Sequence, residues 1–192
     1  MGRIRAYLGA FRRDESGSIA VETMLMIPIL IWCYLGTFVF FDAFRPQSTN
    51  IKASYTIGDT LSRETGYITA NYMASLYNLQ GLLLQTSEAR GLQVTVYTYN
   101  SANNTYTVKW SRGLGGLTTM TNAQLAAIRA ILPVMPSGEI AILTRSQVHY
   151  APDYEVGIDP FAFDEYTVTR PRFAPQLCWN SLESGGAGTA TC

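Results

Sequence analysis

From Ser18 to Phe41 the chain reads SIAVETMLMIPILIWCYLGTFVFF, an apolar run whose one ionisable side chain of consequence is Glu22. As a helix these 24 residues span roughly 36 Å, more than the ~30 Å hydrocarbon core of a bilayer, so the pattern predicts a transmembrane helix over 18–41. A cleaved secretory signal fits less well. Such signals have shorter apolar regions ending in small residues, whereas this run ends Phe38-Val39-Phe40-Phe41. Farther on, Ile51, Tyr55, Gly58 and Leu61 fall on one helical face, which extends the helix to about Glu64. Pro46 is expected to kink or interrupt it at the membrane surface.

Past residue 64 the period changes twice. Tyr72, Met73, Leu76, Leu79 and Leu83 recur at three- and four-residue steps and predict a second helix at about 69–86, with Gly91 ending that region. Leu92, Val94 and Val96 then alternate with polar neighbours, as do Tyr106, Val108 and Trp110. With the turn cluster Asn100–Asn104 between them, they predict a β-hairpin. Thr121 and Gln124 form a capping-box pattern ahead of Leu125, Ile128, Ile131 and Leu132, and Pro133 and Pro136 stop this third helix. Residues 139–150 and Tyr166–Arg170 read as further strands. The fold class is therefore α+β: a basic segment 1–17, a long N-terminal helix, and a head over 65–192 with a mostly antiparallel sheet and two further helices.

Charge gives this plan a direction. Arg3, Arg5, Arg12 and Arg13 precede the span, and only Arg45 and Lys52 closely follow it. The positive-inside rule puts the N-terminus in the cytoplasm and the chain from about residue 42 outside, because Asp14 and Glu15 weigh little in that rule. Overall the 192 residues carry 14 Lys+Arg against 14 Asp+Glu, which argues against a nucleic-acid partner. Cys33, in the middle of the span, reads as a small apolar filler. Cys178 and Cys192 bracket a tail rich in Gly, Ser and Thr. A disulfide between them is expected, against the alternative of two free thiols. Closing such a loop contributes ~3 kcal/mol and requires an oxidising compartment, in agreement with export.

Candidate chemistry is sparse. His149 is the one histidine, with no second metal-type residue at useful spacing, so it reads as structural. The run Gly113–Gly116 lacks a strand–loop–helix phosphate pattern and reads as a turn. Asp153, Glu155, Asp159, Asp164 and Glu165 offer oxygens to Ca²⁺ but not at EF-hand spacing, and a solvated loop is the expectation. No catalytic set, metal or cofactor is read. Pro171-Arg172-Phe173, ahead of Cys178-Trp179, looks like a docking segment, with Trp179 either anchoring the tail or facing a partner.

Glu22 changes the picture most. A carboxylate inside a membrane helix costs ~3 kcal/mol or more, so it either snorkels to the near headgroups or has a partner. The string RRDESG-SIAVE puts Gly17 immediately before the apolar run and Glu22 five residues after it, and Val21-Glu22 is followed by Pro28. Over residues 11–41 the chain resembles type IV prepilins, and among them the TadE-like pseudopilins of tight-adherence (Flp, type IVc) pili. The resemblance implies cleavage by a prepilin peptidase between Gly17 and Ser18, with Glu22 as the fifth residue of the mature chain. It also implies a pilin-like head on the outer side of the bacterial inner membrane. Cleavage would free the Ser18 amine, with a pKa near ~8, for pairing with Glu22 of a neighbouring subunit. Such a pair would set axial register, as one buried polar residue does in a coiled coil. Pro28 removes one helix hydrogen bond, and reads either as a static kink or as a local unwinding that helps extraction from lipid. The implied partners are other pilin subunits through the N-terminal helix, the peptidase, the inner-membrane assembly platform and membrane lipid. The implied role is a minor pilin that assembles or primes the pilus and contributes to surface adhesion. The rival reading is an uncleaved single-span periplasmic accessory protein or enzyme.

Overall fold

The computed structural model describes residues 9, 11–13, 17–86, 88–154 and 156–192. Arg3, Arg5, Asp14, Glu15 and Glu155 lie outside the described residues, as does the side chain of Ser18. The architecture is α+β, with a long N-terminal helix followed by a head built on a four-stranded antiparallel sheet.

Helix α1 (Ser18–Arg63) is 46 residues long and continues through both Pro28 and Pro46. The interruption considered at Pro46 does not occur. A proline removes a single ladder bond, and the turns that follow are held by side chains buried from Asn50 onward. Of the expected face Ile51, Tyr55, Gly58 and Leu61, Gly58 and Leu61 are buried and Ile51 is half-buried, but Tyr55 is 60% exposed, so the buried face is turned from the expected one. It is Asn50, Ala53, Ser54, Ile57, Leu61 and Ser62, still at helical spacing but half polar.

Helix α2 (Ala70–Leu84) starts at Thr69, whose side chain accepts from the Tyr72 N–H, and ends at Gln85 in the left-handed region at φ 50°. Gly91 therefore does not end the helical region, as the sequence suggested; it belongs to the next strand. Strands β1 (Arg90–Asn100) and β2 (Thr105–Leu114) form the expected hairpin, with a register shift between Val96 and Tyr97. Gly115 and Gly116, both at positive φ, turn the chain after β2, and a Cβ on Gly115 would strike the Arg90 carbonyl. Helix α3 (Asn122–Ala127) carries the capping box of Thr121 and Gln124 in full. It is shorter than its apolar pattern suggested. Arg129–Ile131 tighten into a 3-10 turn, and Leu132 is extended at ψ 136°, as a residue before proline must be.

Strands β3 (Ile140–Tyr150) and β4 (Phe161–Thr169) complete the sheet in the order β2-β1-β3-β4. β4 begins five residues before the expected Tyr166. Its first half pairs Phe161 with Tyr150 and Phe163 with Val148, so tertiary pairing supplies a strand where the local signal was weak. Short strands β5 (Trp179–Asn180) and β6 (Ala190–Thr191) pair in the C-terminal tail.

Alternation along the central strands gives the sheet two buried faces. Leu92, Val94, Val96 and Ile142 pack with Ile57 and Leu61 of α1 and with Met73 and Leu76 of α2. Tyr97, Tyr99, Tyr106 and Leu143 pack with Leu125, Leu132 and Met135 on the other side. Each fully buried Leu or Ile contributes roughly 1.5–3 kcal/mol relative to its exposed state.

The chain divides into two compact units: the segment up to Asp42 together with Asp153–Ile158, and Ala43–Pro152 together with Asp159–Cys192.

Candidate functional site

The predicted site begins where α1 begins. The Val21 N–H donates to the Gly17 carbonyl at 3.1 Å, so Gly17 stands at the helix start, exposed, with open space where a Cβ would be. Glu22 follows one turn later and is exposed on the helix surface. Over Ile19–Tyr34 the apolar side chains point outward all round: Ile19 is 76% exposed, Met24 77% and Leu30 61%. Cys33 is a free, exposed cysteine, and the Thr37 hydroxyl folds back to its carbonyl at 2.8 Å. Among the described residues this is the one helix long and apolar enough to cross a membrane. An apolar surface of this extent in water would aggregate; in lipid it is in its own solvent.

Farther along, the same helix is bound to the head by polar contacts. Asn50 Nδ2 donates to the Ser146 carbonyl at 3.0 Å, and Ser146 Oγ donates to Asn50 Oδ1 at 2.6 Å. Ser146 Oγ also accepts from Gln80 Nε2 at 2.8 Å, and Gln80 Nε2 reaches the Gly91 carbonyl at 2.8 Å. Asn50, Gln80 and Ser146 are almost fully buried, so this chain of bonds joins α1, α2 and the sheet where water does not compete. Ser54 and Thr167 share a hydroxyl bond at 2.8 Å one turn on. Hydrophobic periodicity reached Gly58 and Leu61 on this side of the helix and missed Asn50, Ser54 and Ser62 because they are polar. The one signal in the sequence was the recurrence of Asn50, Ser54 and Ser62 at helical steps.

The tail is organised around Cys178 and Cys192, which are joined by a disulfide. Trp179 beside it is buried, with its ring 6.0 Å from that of Trp110 and the Arg112 guanidinium 4.4 Å above it. It anchors the tail. Trp110 Nε1 donates to the Leu177 carbonyl at 2.7 Å, and the Ile68 and Asn180 N–H groups make a short parallel bridge to the Cys178 and Ile68 carbonyls, both at 2.9 Å. Glu183 accepts from the Asn71 N–H at the start of α2, and that backbone bond draws its pKa below the usual carboxylate range. Phe173 stays 69% exposed.

Other candidate residues are dispersed. His149 is exposed on β3, and its backbone N–H donates to the Ala89 carbonyl. Asp164 lies in β4 rather than in a loop, and its carboxylate accepts from Arg145 Nε at 2.8 Å. That bond raises the Arg145 pKa. No cluster of three or more His, Cys, Asp or Glu able to hold a metal occurs among the described residues. A cleft of about 310 Å³ opens between the sheet and α3, lined in part by Gln93, Met120, Gln124, Ile128, Arg145 and Tyr166. Arg145 in its wall is committed to Asp164. Set against known proteins, the chain matches no family model, no curated sequence and no solved structure.

Proposed function

We propose that the chain is a minor pilin, or pseudopilin, of a tight-adherence type IV pilus system. It acts as a structural subunit rather than an enzyme. The observation that carries this reading is the placement of Gly17 and Glu22 at the start of a helix whose apolar side chains from Ile19 to Tyr34 are exposed in every direction. A membrane anchor needs only the apolar surface. A carboxylate one turn inside it is costly, and becomes useful when a neighbouring subunit brings a positive charge.

In this reading a prepilin peptidase cuts between Gly17 and Ser18 on the cytoplasmic side of the inner membrane. The Ser18 amine pairs with Glu22 of the next subunit, and α1 passes from lipid into the helical bundle of the fibre. The head lies outside the cytoplasm, first at the inner membrane and then on the extracellular pilus, where it contributes to adhesion. Its partners are other pilin subunits, the peptidase and the inner-membrane assembly platform. The Cys178–Cys192 disulfide fits an oxidising compartment.

The test is Glu22→Val. The variant is expected to insert in the membrane as well as the unchanged chain and to be lost from sheared pilus fractions, as judged by immunoblotting. Undiminished incorporation into the fibre would contradict the assembly role of Glu22.

A further inference from the structure

The chain between β3 and β4 leaves the sheet at Tyr150 and re-enters it at Phe161, and on the way it meets α1. The Tyr154 ring packs edge-on against Phe38, with centroids 6.1 Å apart. Both belong to the compact unit formed by the N-terminal segment up to Asp42 and Asp153–Ile158. Phe38 nevertheless lies inside the apolar run that reads as the membrane span.

Irregular backbone does not survive in hydrocarbon, where its free N–H and C=O groups have no partners. The segment around Tyr154 has no regular structure and carries the exposed carboxylate of Asp153. A segment of that kind touching Phe38 fixes where the hydrocarbon must end. Counted inward from Phe38, Ser18–Thr37 is 20 residues, or ~30 Å of helix, which equals the thickness of a bilayer core. The two lengths agree when the count starts at Ser18, the first residue of α1. They place Phe38, Phe41 and Tyr154, at 47%, 68% and 47% exposure, just outside the boundary. Aromatic rings with one apolar and one wet side concentrate in that layer.

We infer that the Tyr154 segment is a second membrane contact, seated in the phospholipid headgroup layer on the head's side of the bilayer and forming with Phe38 and Phe41 a collar that sets the depth of α1. The fitting partner is a phospholipid, whose glycerol and ester region suits the aromatic rings. The inference rests on the membrane-anchored part of the proposed function and not on pilus assembly.

Spin labels with collision probes test it on the full chain in phosphatidylcholine vesicles. The free Cys33 is labelled directly, and Asp153→Cys and Ser101→Cys are labelled in a Cys33→Ala background. Ser101, exposed in the β1–β2 turn, serves as the aqueous reference. The Cys33 label is expected to collide with oxygen and escape a water-soluble nickel chelate. The label at position 153 should lose about threefold or more of its nickel collisions relative to position 101, placing it in the headgroup layer. Equal nickel collisions at 153 and 101, with Cys33 still deep, would overturn the docking while leaving the span intact. An aqueous Cys33 would remove the span and the docking together. Protection at 153 with spin–spin broadening that disappears on dilution with unlabelled chain would assign the surface to a second copy, and also overturns the inference.

Discussion

Helix α1 obeys opposite rules in its two halves. Over Ile19–Tyr34 the apolar side chains face out, as with Leu30 at 61% exposure. Over Asn50–Arg63 the fully buried residues include Asn50, Ser54 and Ser62, and an aromatic residue, Tyr55, faces out at 60%. Equal exposure therefore means different things for Leu30 and Tyr55. The stretch Ile19–Tyr34 turns its apolar side chains outward all round, and is suited to lipid or to a bundle of like helices. The second half is fitted to a particular sheet whose carbonyls and hydroxyls complete its polar groups. The helix teaches that hydropathy reports the solvent of a surface, and that fit to a partner is written in pairs of polar atoms.

The contrast breaks most readily at Ile57. Replacing this fully buried residue by alanine is expected to cost the head about 4 kcal/mol, while Ile29→Ala in the exposed half leaves head stability nearly unchanged. Urea unfolding of the full chain in detergent, followed by near-ultraviolet circular dichroism of Trp110 and Trp179, measures both. Next, Leu30→Lys should oppose membrane insertion by about 3 kcal/mol, and Tyr55→Lys, at the same exposure, should leave insertion unaffected. Carbonate extraction of membranes separates the two outcomes. Asn50→Ala should then destabilise the head by about 2 kcal/mol, because it removes two buried hydrogen bonds between α1 and Ser146. If Asn50→Ala cost nothing in the same urea experiment, the polar seam would not be what holds the second half.

The smallest effect lies at the helix end. Glu64 accepts N–H bonds from Gly66 and Thr65, and the Gly66 bond in particular lowers its pKa below the usual 4.5. A carboxylate with a depressed folded pKa stabilises the fold fully above the unfolded value and loses that contribution as pH falls through the folded one. Stability should therefore decline as pH drops below about 4.5, and Glu64→Gln should weaken that decline in a melting series between pH 6 and pH 3. Burial first, and then its bond to the same Glu64, push the Tyr72 phenol up to about 12, so the pair joins α1 to α2.

These contrasts show what the sequence could and could not reveal. The apolar run, the hairpin around Asn100–Asn104 and the capping box of Thr121 and Gln124 were legible because each is a local signal with a fixed period or spacing. The buried polar face of α1 was not, since Asn50 and Ser54 become core residues only when Ser146 and Thr167 arrive from nearly a hundred residues away or more. The first half of β4 was hidden for the same reason: its partner, β3, supplies the strand. Gly17 and Glu22 stood out in the sequence as a spacing at a membrane edge, and the structure adds that the surface beside them is exposed. Tyr154 carried no signal at all, because its ring contact with Phe38 depends on the path of the intervening sheet.

Intact-mass measurement of the membrane-extracted chain, with and without a prepilin peptidase, decides whether the exposed half of α1 is the proposed pilus stem released by cleavage. A mature N-terminus at Ser18 is expected when the peptidase is present, and an uncut chain when it is absent. A chain that keeps Met1–Gly17 in the presence of an active peptidase would contradict that proposal.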